Sequence, residues 1–153
     1  MGFGFNFTAG GVELLDDIGL MWEKLNEHHA ARSNHFSDVF AENTFAKRKQ
    51  SILSHSERGL HVIIALNEEG ERAGYCVSTV NRLRVGEIDS LYVRPEFRQT
   101  GLGEVLVKRS IDWLNAQDVS RIFLEVAEGN EEVYGFYARF GFYPAKIILE
   151  QKK

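Results

Sequence analysis

The chain has 153 residues, 44% of them hydrophobic and 26% charged, with 14 Gly, 2 Pro and 1 Cys. That length predicts a single domain, 1–153, that folds without a disulfide or metal staple, and the lone Cys76 excludes an internal disulfide framework and a multi-cysteine zinc site. A net charge of −4, from 18 Lys+Arg against 22 Asp+Glu, argues against a nucleic-acid or anionic-membrane binder.

In chain order, Phe3, Phe5 and Phe7 alternate as in a strand at a sheet edge, which Thr8-Ala9-Gly10-Gly11 is expected to break. Leu14, Leu15, Ile18, Met21, Trp22 and Leu25 share one face of a helix. A second helix is predicted over 37–53. Residues 60–66 and 73–80, joined by Asn67-Glu68-Glu69-Gly70, read as a hairpin. A strand over 86–93 stops at Pro95, a strong helix follows over 101–116, and 121–126 is a strand. A short helix over 131–140 ends at Gly141 as its C′ glycine, and 142–149 is predicted as a final strand. The order β-α-α-β-β-β-α-β-α-β makes one α/β (α+β) domain. The longest plain apolar run, 62–66, is far short of the ~20 residues of a membrane span. The first residues lack a signal peptide's basic and apolar regions, so the expected location is cytoplasmic.

The segment 93–104 carries the chemistry. A strand ends, a turn follows, and Gly101 and Gly103 open a helix whose free N–H groups and dipole suit phosphate oxygens, with Arg98 close by. A dinucleotide fingerprint would need glycine at 106, which is Leu106, and no Gly-Lys-Ser or Gly-Lys-Thr exists. The run Leu91-Tyr92-Val93-Arg94-Pro95-Glu96-Phe97-Arg98-Gln99-Thr100-Gly101-Leu102-Gly103 resembles the acyl-CoA-binding motif of the Gcn5-related N-acetyltransferase family. Leu124-Glu125-Val126, Asn130, Tyr137 seven residues later, and Gly141-Phe142 are similar to that family's closing strand–helix–strand.

The resemblance implies a single-domain fold with a mixed, mostly antiparallel twisted sheet flanked by helices and splayed between strands 4 and 5. It implies an enzyme that moves an acetyl group from acetyl-CoA to a primary amine by direct attack in a ternary complex. The cofactor would lie against Leu91, Tyr92 and Val93, with Leu91 and Val93 offering backbone groups as a peptide-binding strand edge does. Gln99, Thr100, Gly101, Leu102, Gly103 and Glu104 would wrap the pyrophosphate. Gln99 stands where Arg or Gly is common, and Glu104 where many relatives have Arg or Lys, so Glu104 either weakens CoA binding or points away. Asn130 would hold the cofactor arm or cap a helix. Tyr137 matches the tyrosine that reaches the CoA sulfur as general acid, and it also fits a core aromatic beside Tyr134 and Phe136.

Three carboxylates compete as general base: Glu125, and Glu87 and Asp89, which alternation places on one strand face. Each also fits a structural partner of Arg82, Arg84 or Arg121, and a water chain is a further alternative. In this family the region between the first two helices shapes the acceptor pocket, so Glu27, His28, Arg32 and His35 are candidate acceptor contacts. His28, His29 and His35 do not suggest a metal site, because adjacent helical residues point about 100° apart. The expected acceptor is a small-molecule amine and a homodimer fits family habit. Other readings are a protein or peptide N-terminal acetyltransferase, a non-catalytic acyl-CoA sensor, and a nucleotide-phosphate binder using the glycine loop.

Overall fold

Five strands of alternating or wholly apolar character assemble one sheet in the order β1-β2-β3-β4-β5. They are β1 (Asn6–Gly10), β2 (Gly59–Leu66), β3 (Arg72–Val80), β4 (Val85–Val93) and β5 (Arg121–Leu124). The computed structural model describes residues 4–153; Phe3 lies outside them. β1 to β4 pair antiparallel, and β5 joins β4 in parallel. The helices are α1 (Gly19–Arg32), α2 (Ser37–Glu42), α3 (Phe45–Ser54), α4 (Leu102–Asn115) and α5 (Tyr134–Ala138). Among the described residues, no helix is long and apolar enough to cross a membrane.

The two faces of the sheet carry separate cores. On one, Leu102, Leu106, Val107 and Leu114 of α4 pack against Ile63, Cys76, Val80 and Ile88. On the other, Met21 and Trp22 of α1 and Ile52 of α3 pack with Leu15 and Ile18 against Val62, Ile64, Tyr75, Val77 and Tyr92. β3 is covered on both sides, so its residues from Ala73 to Val80 are all buried. Each fully buried aliphatic side chain there contributes ~1.5–3 kcal/mol.

Four elements depart from the sequence reading. Thr8, Ala9 and Gly10 belong to β1, because backbone pairing with Ile64, Ile63 and Val62 outweighs their weak strand preference. The first helix starts as a 3-10 turn, Val12–Ile18, before α1. The helix expected over 37–53 is two, because Thr44 turns extended and its hydroxyl caps α3 by accepting from the Lys47 N–H at 3.2 Å. Residues 142–149 form no strand: no sheet partner reaches them, and Tyr143, Ile147, Ile148 and Leu149 are 72–93% exposed.

A β-bulge in β4 sets up the site. Ser78 pairs with Ile88 and Val77 with Ser90, leaving Asp89 without a cross-strand partner. The extra residue reverses the side-chain phase. Ile88 faces α4, Ser90 and Tyr92 face the α1–α3 side, and Leu91 and Val93 return to the α4 side. The bulge is pinned from α3, where Arg48 Nη2 donates to the Asp89 carbonyl at 2.6 Å.

Candidate active site

β4 and β5 pair only from Val85–Arg121 to Ile88–Leu124. Beyond that point the strands part, and the end of β4 borders a cavity of about 480 Å³, well within the range of ligand pockets. Its walls come from α1, the end of β4, the loop before α4, the segment after β5, and α5.

Most of the expected cofactor residues meet there. Leu91, Tyr92, Val93, Arg98, Gln99, Gly101, Gly103, Glu104, Asn130 and Tyr137 line the cavity. The loop reaches its shape through positive φ at Gln99 (63°) and Gly101 (88°). The first intrahelical bond of α4 runs from the Val105 N–H to the Gly101 carbonyl, so the preceding N–H groups have no helical acceptor. Thr100 and Leu102 do not line this wall. Thr100 Oγ1 donates to the Phe97 carbonyl at 2.6 Å and accepts weakly from the Leu102 N–H, while the Leu102 side chain is in the core. At Gly101 an added Cβ would meet nothing within 4 Å, so backbone conformation, rather than space inside the protein, calls for glycine.

Charge at the cavity mouth is largely paired. Glu104 Oε1 meets Arg139 Nη1 at 2.5 Å, and that guanidinium also lies 5.3 Å from the Phe136 ring centroid. Glu104 is therefore turned to Arg139. Arg98 Nε donates to the Val93 carbonyl at 2.9 Å and its guanidinium stacks over Tyr92 at 5.6 Å. One backbone acceptor of the β4 edge is thus satisfied within the chain. Asn130 starts the short 3-10 turn Glu131–Val133 without a side-chain cap bond. Tyr137 packs edge-on against Phe136 and Phe142, and its burial pushes the phenol well above its ordinary pKa.

The three carboxylates lie in different settings. Glu125 is exposed on the cavity wall just past β5. The Asp89 carboxylate is fully buried; it accepts from Thr79 Oγ1 at 2.6 Å and lies 2.5 Å from His55 Nε2. Glu87 is 13% exposed, with Oε1 3.7 Å from the same nitrogen. Burial first, then the neighbouring Asp89 charge, pushes Glu87 up to about 7, against the opposing charge of His55. His55, raised chiefly by its hydrogen bond to Asp89, went unnoticed in the sequence because it sits 34 residues away, just past α3. These donor atoms cluster within 4.8 Å. However, 2.5 Å is a hydrogen-bond separation, whereas two ligands each 2.0–2.2 Å from a tetrahedral metal stand more than ~3 Å apart.

Of the proposed acceptor contacts, only His28 reaches the cavity wall, joined by His29. Burial pulls the His29 imidazole down to about 4, so it is neutral, and its Nδ1 is buried without a hydrogen-bond partner among the described residues. Glu27 is exposed and 3.7 Å from Lys24. Arg32 is instead part of a clamp: it donates to the Gly129 carbonyl at 3.2 Å and to Glu132 at 2.7 Å. Beside it, Glu128 accepts from Ser33 Oγ and from the Asn34 backbone and side chain. His35 is exposed outside the cavity wall, beside Glu128. The clamp ties the end of α1 to the loop after β5, a link no local pattern announces. Cys76 is fully buried, with its thiol pushed up to about 12 by burial, and is no nucleophile.

A mixed sheet parts between two strands, with a glycine-opened helix at the mouth of the gap. The chain belongs to the acetyltransferase (GNAT) family, whose profile matches residues 22–142. The [ribosomal protein bS18]-alanine N-acetyltransferase of Escherichia coli K12 is 29% identical over 108 residues, 71% of this chain and 67% of that protein. The phosphinothricin N-acetyltransferase of Streptomyces coelicolor is 31% identical over 102 residues, 63% of this chain and 60% of that one. The chain spans 55% of the length of a further relative from Bacillus subtilis. The structure of an aminoglycoside N-acetyltransferase in complex with CoA superimposes with a TM-score of 0.63, at 17% identity, over 100% of this chain and 97% of that one.

Proposed function

We propose that the protein is an acetyl-CoA-dependent N-acetyltransferase acting on the primary amine of a small cationic molecule. The observation that carries this reading is the parting of β4 from β5, with the Gln99–Glu104 turn and Glu125 on the wall of the gap; Glu87 lies just before the parting, opposite Phe123, close enough to Glu125 to feel its charge.

The residues present fit the donor. The edge of β4 at Leu91–Val93, past its pairing with β5 and with only the Val93 carbonyl taken by Arg98, matches the amide-bearing arm, and the N–H groups opening α4 match the pyrophosphate. Asn130 and Tyr137 stand on the opposite wall. Glu104, already paired with Arg139, adds little repulsion. Acetyl-CoA would supply the thioester whose acyl carbon the amine attacks.

The chain's own groups then do three things. Glu125 on the open wall attracts the cationic amine. Glu87, nearly half-ionised at neutral pH, takes the ammonium proton through water and leaves the nitrogen lone pair free. Tyr137 keeps its proton at any working pH and donates a hydrogen bond to the departing sulfur. A phenol holds its proton more tightly than a thiol, so its contribution is stabilisation of the developing thiolate rather than acidity matched to it. The Asp89 carboxylate, enclosed by Thr79 and His55, supports the bulge and does not meet the amine.

Free-thiol release from acetyl-CoA with a panel of diamines, amino acids, aminoglycosides and a peptide N-terminus tests the reading. Turnover on small cationic amines is expected, and Tyr137→Phe, which removes one hydrogen bond to the developing thiolate, should lower kcat by ~10²-fold. CoA binding without thiol release on any amine would make the domain a sensor. Turnover on the peptide alone would transfer the reading to a protein acceptor, the activity named for the E. coli relative.

A further inference from the structure

His55 has no part in the reaction as read from the motifs, yet three elements converge on it. It caps the C-terminal end of α3, where carbonyl dipoles favour a cation. Its Nε2 is 2.5 Å from Asp89 Oδ1, and that carboxylate is held on its other oxygen by Thr79 from β3. Asp89 can reach His55 because it is the unpaired bulge residue, so its side chain joins Glu87 on the α1–α3 face. The same nitrogen is 3.7 Å from Glu87 Oε1.

Resting on the assignment of Glu87 as base, we propose that His55 is a positioning residue: clamped by Asp89 as an imidazolium, it sets a positive charge 3.7 Å from the Glu87 carboxylate and favours its ionised form. The step it supports is a simple proton transfer. One N–H bond of the ammonium breaks, one O–H bond forms on Glu87 through the intervening water, and the lone pair stays on nitrogen.

The charged groups facing Glu87 are Asp89 from its own strand, Glu125 beyond β5, and Arg48 and His55 from the α3 side. The two carboxylates raise its proton affinity and the two cations lower it. Arg48 donates to the Asp89 carbonyl; the His55 Nε2–H is given to Asp89, so His55 acts on Glu87, 3.7 Å away, through its charge. With its charge removed, Glu87 binds its proton more tightly and the active, ionised form appears at higher pH.

The test compares the intact chain with His55→Gln and His55→Lys by two readouts, kcat/KM against pH and direct titration of Glu87 by 13C-carboxyl NMR. In His55→Gln the acidic limb and the NMR titration should both move up by about one pH unit, the lower end of what an opposite charge at this distance exerts. That shift is a roughly tenfold loss of kcat/KM well below pH 7 with recovery by pH 9. His55→Lys, which restores a cation, should return both towards wild type. A uniform loss of rate at every pH, with the Glu87 titration unmoved, would overturn the proposal and leave His55 a packing residue. A shifted NMR titration with an unmoved rate profile would instead show that Glu87 is not the base, removing the reading on which the proposal stands.

Discussion

Replacing Glu87 by Gln should make the protein more stable at high pH and leave it unchanged at low pH. The folded carboxyl holds its proton up to about 7, against an ordinary 4.5. A group with a raised folded pKa binds protons more tightly in the native state, so stability is full below 4.5. It declines as the pH rises from 4.5 to about 7 and stays reduced above that. At about 1.4 kcal/mol per tenfold change in proton affinity, the loss amounts to roughly 3 kcal/mol above neutrality. Gln has the same shape and no charge, so it escapes that cost. For a chain of this size each kcal/mol moves Tm by roughly 2–4 °C. Thermal melts at pH 4.5 and pH 8 should therefore show little difference at the lower pH and a gain of several degrees for Glu87→Gln at the higher. Equal Tm differences at both pH values would refute the reasoning, because Glu87 would then be no buried, charge-crowded group. A gain in stability paired with a loss of turnover is what a site that holds a carboxylate near its titration point predicts.

Gly101→Ala should cost ~1–2 kcal/mol from its left-handed φ and raise the KM for acetyl-CoA several-fold; an unchanged KM would remove the loop from the donor site. At Gly129 a Cβ would sit 2.2 Å from the Arg32 carbonyl oxygen, with φ at 92°. Gly129→Ala should therefore lower stability in urea titrations by at least ~2 kcal/mol, while Gly135→Ala, whose Cβ meets nothing within 4 Å, should be neutral or slightly stabilising. Equal effects of the two would mean that the Arg32 backbone does not crowd position 129 in the folded protein. Native protein incubated with a thiol reagent at pH 8 should leave Cys76 unmodified, and intact mass after acetyl-CoA alone should show no acetyl-enzyme. A covalent adduct at Cys76 would contradict direct transfer.

The apolar character of 60–66, 73–80, 86–93 and 121–126 and the periodicity of 102–115 are local properties of burial, so β2 to β5 and the long α4 were legible from residue order. So was the Gly101–Gly103 turn, because a positive φ before a helix has few sequence solutions. Asn130 and Tyr137 were found through family resemblance, and the cavity brings them opposite the β4 edge. The final strand at 142–149 misled because β-prone residues make a strand only when an edge receives them.

Residue order alone determined an α/β fold with a glycine-opened helix after a strand, and it singled out Glu87, Asp89 and Glu125 as candidate carboxylates. Their roles came from contacts across long separations. The bulge at Asp89 reverses the phase of β4, and its carboxylate is buried between Thr79 and His55. Burial beside that charge lifts Glu87 to neutrality, and Arg32 is drawn from the acceptor pocket into a clamp with Gly129 and Glu132. Proton affinity and orientation depend on desolvation and on charges brought close by folding, which chain separations of 34 and 100 residues conceal.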